Sequence, residues 1–427
     1  MLRTRKAIFS VLSGLIFISV FYIFSRTTRG QFDIKKTKML QAVELESAYF
    51  CLTRPRVSFD KYLERNGRYD YLNADINSFP RKKETLTNNE NNLNQKNAKN
   101  TTIFKKDKYF FSINLHNNEE AIPYMIKELM QLFKYLGAEN LYLSIYENGS
   151  MDKSKVMLNQ FSIYLKKFDI KHSIVTDERS RPENSHRIDY LATVRNRALE
   201  PLEKEKKVGR VYDKIIFMND IYFCRNDILE LIYQSNFQGS DFTCPLDFHS
   251  VPAKGGIIEF RDSWVARDIE GNKFNPELEA VSNHPDSRLR NGQNLPFQVQ
   301  CSWNGVGVLN SKPFYGKKPL RFRRSHVGTG ECSASECSLL CNDFWSLGYR
   351  RIIVVPEILV FYRLKNAALL DPKYDLAINI TQTLDEKIKY IDGPEKILCI
   401  GMEGVNAIDP DQPGLWVNYT NDGTKVI

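Results

Sequence analysis

The stretch "KIIFMND" (Lys214–Asp220) drives an apolar run straight into Asn219-Asp220. A carboxylate in that place either caps the next helix or offers hard oxygen ligands to a divalent cation that shares substrate phosphates. Asp227, opening "RNDILELIYQ", is the better-placed cap, so Asp220 is left as the metal candidate. A strand-end carboxylate bridging a metal and a diphosphate is what nucleotide-sugar transferases use. They usually carry Asp-x-Asp, where this chain has Asn-Asp.

A second chemical feature precedes it. "RIDYLATVRNRALEPL" sets Arg187, Arg195 and Arg197 on adjoining turns of one helix. A guanidinium beside a diphosphate stabilises leaving-group charge through bidentate hydrogen bonds. A solvated helix face is the plain alternative. Downstream lie Asp247, Asp262, Arg267, Asp268 and Glu336, with Trp264 and Trp303 as flat apolar faces for a sugar or as ordinary core residues. Asp262 has a second reading as a structural partner of Arg261 or Arg267. His249 and His326 are possible metal ligands, but a lone histidine in a loop is more often a surface residue.

Elements must bring these groups together. From Lys108, apolar strand patterns alternate with helical ones four times: "KYFFSINLH", "LYLSIYENGS", "IKHSIVTD" and "VYDKIIFMND" are the strands. That alternation predicts an α/β domain with a mostly parallel sheet and helices on both faces. Ligands of such sheets sit outside the carboxyl ends of the strands. His116-Asn117, Glu147-Asn148, Asp177 and Asn219-Asp220 all fall there. After Phe237 the pattern loses regularity.

The chain has 427 residues, 42% hydrophobic, with a net charge of +9. Much of the excess lies before residue 110, and no interleaved basic and aromatic pattern points to nucleic acid. Ala7–Phe24 carries no charge and spans roughly 27 Å as a helix. With Arg3, Arg5 and Lys6 before it, the segment reads as a signal-anchor with a cytoplasmic tail at 1–6. Residues 25–106 read as a largely disordered luminal stem, since Asn88–Asn100 contains seven asparagines and almost nothing to bury. A catalytic domain is expected at 107–363 and a C-terminal extension at 364–427. Eight cysteines, three crowded in "GECSASECSLLC", suit disulfides of an oxidising lumen better than zinc, with pairing open. Sequons occur at Asn100, Asn148, Asn379 and Asn418.

Several motifs occur together and in order: "NLHNNEEAIP", "LSIYENGSMD", "RIDYLATVRNRALEPL", "FMNDIYFCRNDILELI", "CPLDF", "DSWVARDIEG", "PFQVQCSWNGVGVL" and "GECSASECSLLCNDFW". In these the chain resembles the cryptococcal-type α-1,3-mannosyltransferase family, the fungal group that includes capsule-associated proteins, over about residues 108–363. The resemblance implies a GT-A, Rossmann-like glycosyltransferase, a type II Golgi membrane glycoprotein, GDP-mannose as donor, a divalent metal such as manganese, and transfer with retention. Carried over by motif, Asp220 binds the metal. Asn114, Asn117, Glu147, Ser150, Arg187, Arg195, Asn196 and Asn219 face the donor. Asp247, Asp262 and Glu336 are catalytic candidates, with Arg267, Asp268, Trp303 and Asn304 on the acceptor side. Asn148 then lies on the nucleotide wall and is expected to stay unglycosylated, unlike Asn100, Asn379 and Asn418. Expected partners are the sugar nucleotide, a glycan acceptor, the membrane, and a second copy or a Golgi transferase complex. The rival readings are another sugar-nucleotide donor, or a catalytically silent scaffold in glycan assembly and export.

Overall fold

In the computed structural model the described residues are 51, 60, 61, 63, 64, 67–74, 107–251, 255–326, 329, 331–369, 386–402 and 414–419. The signal-anchor segment, most of the stem, Asn100 and Asn379 lie outside them. Among the described residues no helix is long and apolar enough to cross a membrane.

The predicted alternation is realised in β1 (Tyr109–Leu115), α1 (Ile122–Leu136), β2 (Leu141–Asn148), α2 (Ser154–Lys167), β3 (His172–Asp177), α3 (Arg187–Lys207), β4 (Lys214–Met218) and α4 (Arg225–Gln238). Pro123 starts α1 where its missing N–H costs nothing, and Gly137, at φ 85°, ends it. Asp227 caps α4, its Oδ2 accepting the Cys224 N–H at 2.7 Å. β1 pairs in parallel with both β2 and β4, and β2 in parallel with β3. All four strands therefore end at one edge.

The later strands are β5 (Phe242–Val251), β6 (Ile257–Phe260), β7 (Arg267–Asp268), β8 (Phe297–Cys301), β9 (Val306–Asn310) and β10 (Ile352–Val360), with α5 (Pro285–Gly292) and α6 (Glu336–Ser346) between them. The sheet runs β3-β2-β1-β4-β9-β5-β10-β8-β7, with β6 added to β5. Here the expectation of a mostly parallel sheet is corrected. β9 inserts antiparallel between β4 and β5, and β8 and β7 are also antiparallel, so the sheet is mixed. In this half β5 and β10 pair in parallel, and the other pairings among the described residues are antiparallel.

Alternate side chains face two apolar layers. Phe111, Ile113, Ile216 and Met218 join α1, α2 and α4 in one core. Phe110 stacks on Tyr142, and Phe217 meets Trp303 and Phe322, on the other side. Residues expected to be stem also enter the first core: Leu63, Tyr69 and Leu72 are buried in it. Thr53–Ile427 is one compact unit. Within it, Cys301–Cys341 and Cys332–Cys399 are disulfides, while Cys244 and Cys337 are buried thiols. A short hairpin, β11 (Ile397–Cys399) with β12 (Leu415–Val417), closes the C-terminal part.

Candidate active site

The strand β4 delivers Asn219 and Asp220 to the shared edge. Asn219 is held from three directions. Its N–H donates to Gly305 O at 2.8 Å, its Nδ2 donates to the Tyr362 hydroxyl at 3.1 Å, and its Oδ1 accepts from Arg195 Nη1 at 3.0 Å. Gly305 is obligatory there: at φ +86°, a Cβ would meet Ile221 Cγ2 at 2.5 Å and Tyr362 Oη at 3.1 Å. With its neighbour so fixed, Asp220 is half-buried and its Oδ2 accepts from Asn118 Nδ2 at 2.8 Å. Its Oδ1 has no partner among the described residues. One free oxygen of a strand-end carboxylate suits a hard cation that keeps water and phosphate oxygens as its other ligands.

The loops after β1 and β2 are stitched together around Asn118. Ser150 Oγ accepts Asn117 N–H at 2.8 Å, Ser154 Oγ accepts Asn118 N–H at 2.9 Å, and Asp152 Oδ2 accepts Glu119 N–H at 2.9 Å. Asn117, in the left-handed region at φ 54°, accepts Met151 N–H on its Oδ1 at 2.9 Å. Glu147, expected at the donor, is fully buried and accepts the Ser150 N–H, so it shapes the loop. Asn114 donates to Val194 O at 2.8 Å while its Oδ1 is buried without a partner. Asn148 is buried, and the Nδ2 that a glycan would need donates to Tyr190 Oη at 3.2 Å. Asn418 is exposed.

Beside Asn219 lies an acidic cluster drawn from distant segments. Asp247, inside β5, is fully buried; its Oδ1 accepts Asp262 N–H at 3.1 Å and its Oδ2 meets Arg261 Nη1 at 3.3 Å. Asp262 keeps some surface and accepts the N–H of Asn304, a residue in the left-handed region at φ 53°. Burial and then the Asp247 charge push the Asp262 carboxyl up to about 8, against Arg261 and the Asn304 N–H. Burial pushes Asp247 up to about 6, opposed by Arg261. Glu336 is buried in a pair with Arg195 Nε at 2.8 Å. Arg195 is itself enclosed by Phe217, Trp303 and Phe322, its guanidinium carbon 4.8 Å from the Trp303 ring. It therefore acts through Asn219, and Glu336 acts through Arg195. Asp262 is the one of the three catalytic candidates that keeps surface.

Other expected site residues sit elsewhere. Asn196 gives both ends of its amide to the Phe322 backbone, at 2.8 and 3.0 Å, and is a clamp rather than a nucleotide contact. Arg267 is buried, donating to Leu398 O and to the carbonyls of Ser263, Trp264 and Ala266. Asp268 is buried under Glu270 N–H, Asn272 N–H and Ser282 Oγ. Trp303 is core, and Asn304 ties Pro245 O to the turn that serves Asp262. Trp264 donates to Ile400 O at 2.8 Å. Arg187 is exposed at the start of α3, and Arg197 pairs on the surface with Glu200. His326 is exposed and faces Glu331 at 3.0 Å; burial and Arg261 lower the His249 ring. The residues sequence reasoning missed are Asn118 as the partner of Asp220, Arg261 as a site cation, and Tyr362. Tyr362 ends the "RIIVVPEILVFYR" strand pattern, a strand-end position like those that were noticed.

Fold and site together define a mixed α/β protein with an acidic, hydrogen-bonded centre at the carboxyl edge of its first four strands. The chain belongs to the family described as Cryptococcal mannosyltransferase 1, whose model matches residues 108–343. It is 32% identical over 309 residues to the alpha-1,3-mannosyltransferase CMT1 of Cryptococcus neoformans var. neoformans serotype D, covering 68% of this chain and 63% of that protein. Less than two thirds of that relative's length is thus spanned. Among solved structures, the chain is similar to the mannosyltransferase PcManGT from Pyrobaculum calidifontis in complex with GDP-Man and Mn2+, at 10% identity and TM-score 0.36, over 60% of this chain and 56% of that one. It is also similar to GalNAc-T7 with UDP, GalNAc and Mn2+, at 14% identity and TM-score 0.37, over 61% and 44%. At these scores the structural likenesses carry no argument.

Proposed function

We propose that the chain is a metal-dependent mannosyltransferase of GT-A type that moves mannose from GDP-mannose to a glycan hydroxyl. The reading places it in the Golgi membrane as a type II protein with residues 107–363 luminal. The observation that carries it is the convergence of Asp220, Asn219, Asp262, Asp247 and Glu336, from separate segments, on one sheet edge. Family membership and the alpha-1,3-mannosyltransferase activity of the Cryptococcus relative support the same reading.

Asp220, through its free oxygen, would hold the divalent cation, which when bound stabilises charge on the departing diphosphate. Asn219 is locked so that Asp220 projects from the edge. Asp262 meets the reacting sugar, and a carboxyl poised near neutral suits proton or bond-forming work there. Asp247 and Glu336 hold the cations that surround it.

The test is thermal unfolding of the full-length chain in detergent with GDP-mannose, GDP, UDP-glucose or UDP-xylose, with manganese or with chelator. The GDP compounds should raise the midpoint only when metal is present. Asp220→Ala should lose that response while unfolding near the wild-type temperature, because Asp227 and not Asp220 caps α4. A response confined to the UDP compounds would replace the donor. Silence toward every nucleotide, from a protein that unfolds cooperatively, would leave the scaffold reading.

A further inference from the structure

Arg261 differs from every other cation in the acidic centre. Arg195 is buried, caged by rings and neutralised by Glu336. The Arg261 side chain is 44% exposed. Its guanidinium carbon lies over Tyr362, 4.0 Å from the ring centroid, and only Nη1 is engaged, at 3.3 Å to buried Asp247. Nε and Nη2 have no partner among the described residues. The side chain is thus aimed and tethered without being saturated, which is how a planar fork is prepared for a second, bidentate acceptor.

Its position relative to Asp220 names that acceptor. Arg261 rests on Tyr362, the Tyr362 hydroxyl accepts from Asn219, and Asn219 precedes Asp220. A cation site at Asp220 and the guanidinium of Arg261 therefore stand at the two ends of one short, rigid bridge. Arg195 is taken up by Glu336, whereas Arg261 keeps donors that its contact with Asp247 does not use. From this we infer that Arg261 is the donor-diphosphate residue of the site, gripping the terminal phosphate of the nucleoside diphosphate with Nε and Nη2 while Asp247 and Tyr362 hold it in place. The role expected of Arg187 and Arg195 in the helix α3 passes to Arg261.

This rests on the proposed function and is tested by titration calorimetry of the full-length chain with manganese, using GDP and GMP as probes. GMP lacks the terminal phosphate. Arg261→Ala should weaken GDP binding by about 10- to 100-fold, the range for losing hydrogen bonds to a charged group, and leave GMP binding close to wild type. Arg261→Lys should recover part of the loss, since it restores charge without the fork. Arg261→Ala leaves buried Asp247 without its cation, so cooperative unfolding of both variants is checked first, and Arg261→Lys, which keeps a positive charge there, should unfold nearer the wild-type temperature. Equal losses for GDP and GMP would show a general role in site shape and overturn the inference, as would unchanged GDP binding, and either result would leave the proposed function standing. Failure of the wild-type chain to bind GDP or GMP would remove the proposed function and the inference with it.

Discussion

Asn219 and Asp262 show how single residues are set by groups far away in the chain. Arg195, Gly305 and Tyr362 together leave Asn219 one orientation. Asp262 is pinned by the N–H of Asn304 beside a second carboxyl. That proximity has a measurable consequence. The Asp262 carboxyl is raised to about 8, from an ordinary value of about 3.9. The folded chain therefore binds this proton more tightly than the unfolded chain. Its contribution to stability is complete below the ordinary value and is lost as pH rises through the window up to the raised one. Asp262→Asn, which cannot ionise, should lose less thermal stability than wild type between pH 5 and pH 9, in chelator. Parallel melting curves for the two proteins would show that Asp262 ionises like an exposed aspartate. Of these residue-scale facts, the sequence displayed Asp220 and Asp262 as carboxylates in suggestive places. It could not display their partners, because Asn118, Asn304 and Tyr362 lie about 40 to 140 positions away and no local period marks such pairs.

At the scale of elements, α4 is the best example of a helix whose partners were invisible in sequence. Glu230 on α4 is completely buried and accepts Arg68 Nε and Nη2, both at 2.7 Å, the Tyr69 hydroxyl at 2.8 Å and Gln234 Nε2 at 2.9 Å. "RNGRYDYLN" is short, polar and without period, so it reads as stem; the buried carboxylate 162 positions away makes it part of the domain. Breaking a buried pair leaves an uncompensated charge, so Arg68→Ala should cost about 3–5 kcal/mol in urea unfolding. A chain truncated to begin at residue 106 should be destabilised at least as much, and one that keeps the disulfide-bonded Cys51 should not. If Arg68→Ala unfolds like wild type, the segment is not anchored and the domain does begin near 107. The four parallel strands, by contrast, were plain in sequence: β1, β2 and β4 are rich in apolar residues, β3 is a shorter and more polar edge strand, and each is followed by a helix.

Across the whole molecule, the C-terminal segment is what binds the irregular half together. Gln238 and Gln298 side chains take the N–H groups of Ile388 and Ile391, at 2.9 Å each. Arg290 pairs with Glu386, Arg267 reaches Leu398 O, and Cys399 is bonded to Cys332 across 67 positions. The expected extension at 364–427 is in its described parts a structural strap on the body. Cys399→Ser should lower stability by about 2–5 kcal/mol, as loss of a disulfide closing a long loop does, read by denaturant unfolding without reductant. An unchanged midpoint would mean that the strap is held by its hydrogen bonds alone.

What the sequence determined by itself was the parallel half of the sheet, the edge at which a site would lie, and membership of the family. Those follow from local periodicity and contiguous motifs, which a linear reading can see. Only the tertiary structure decided that β9 enters antiparallel, that Arg267, Asp268 and Asn196 are clamps, and that Arg261 is the exposed cation. Whether a polar side chain is free for chemistry depends on whether a buried backbone group nearby needs it, and that need arises only when distant segments pack and exclude water.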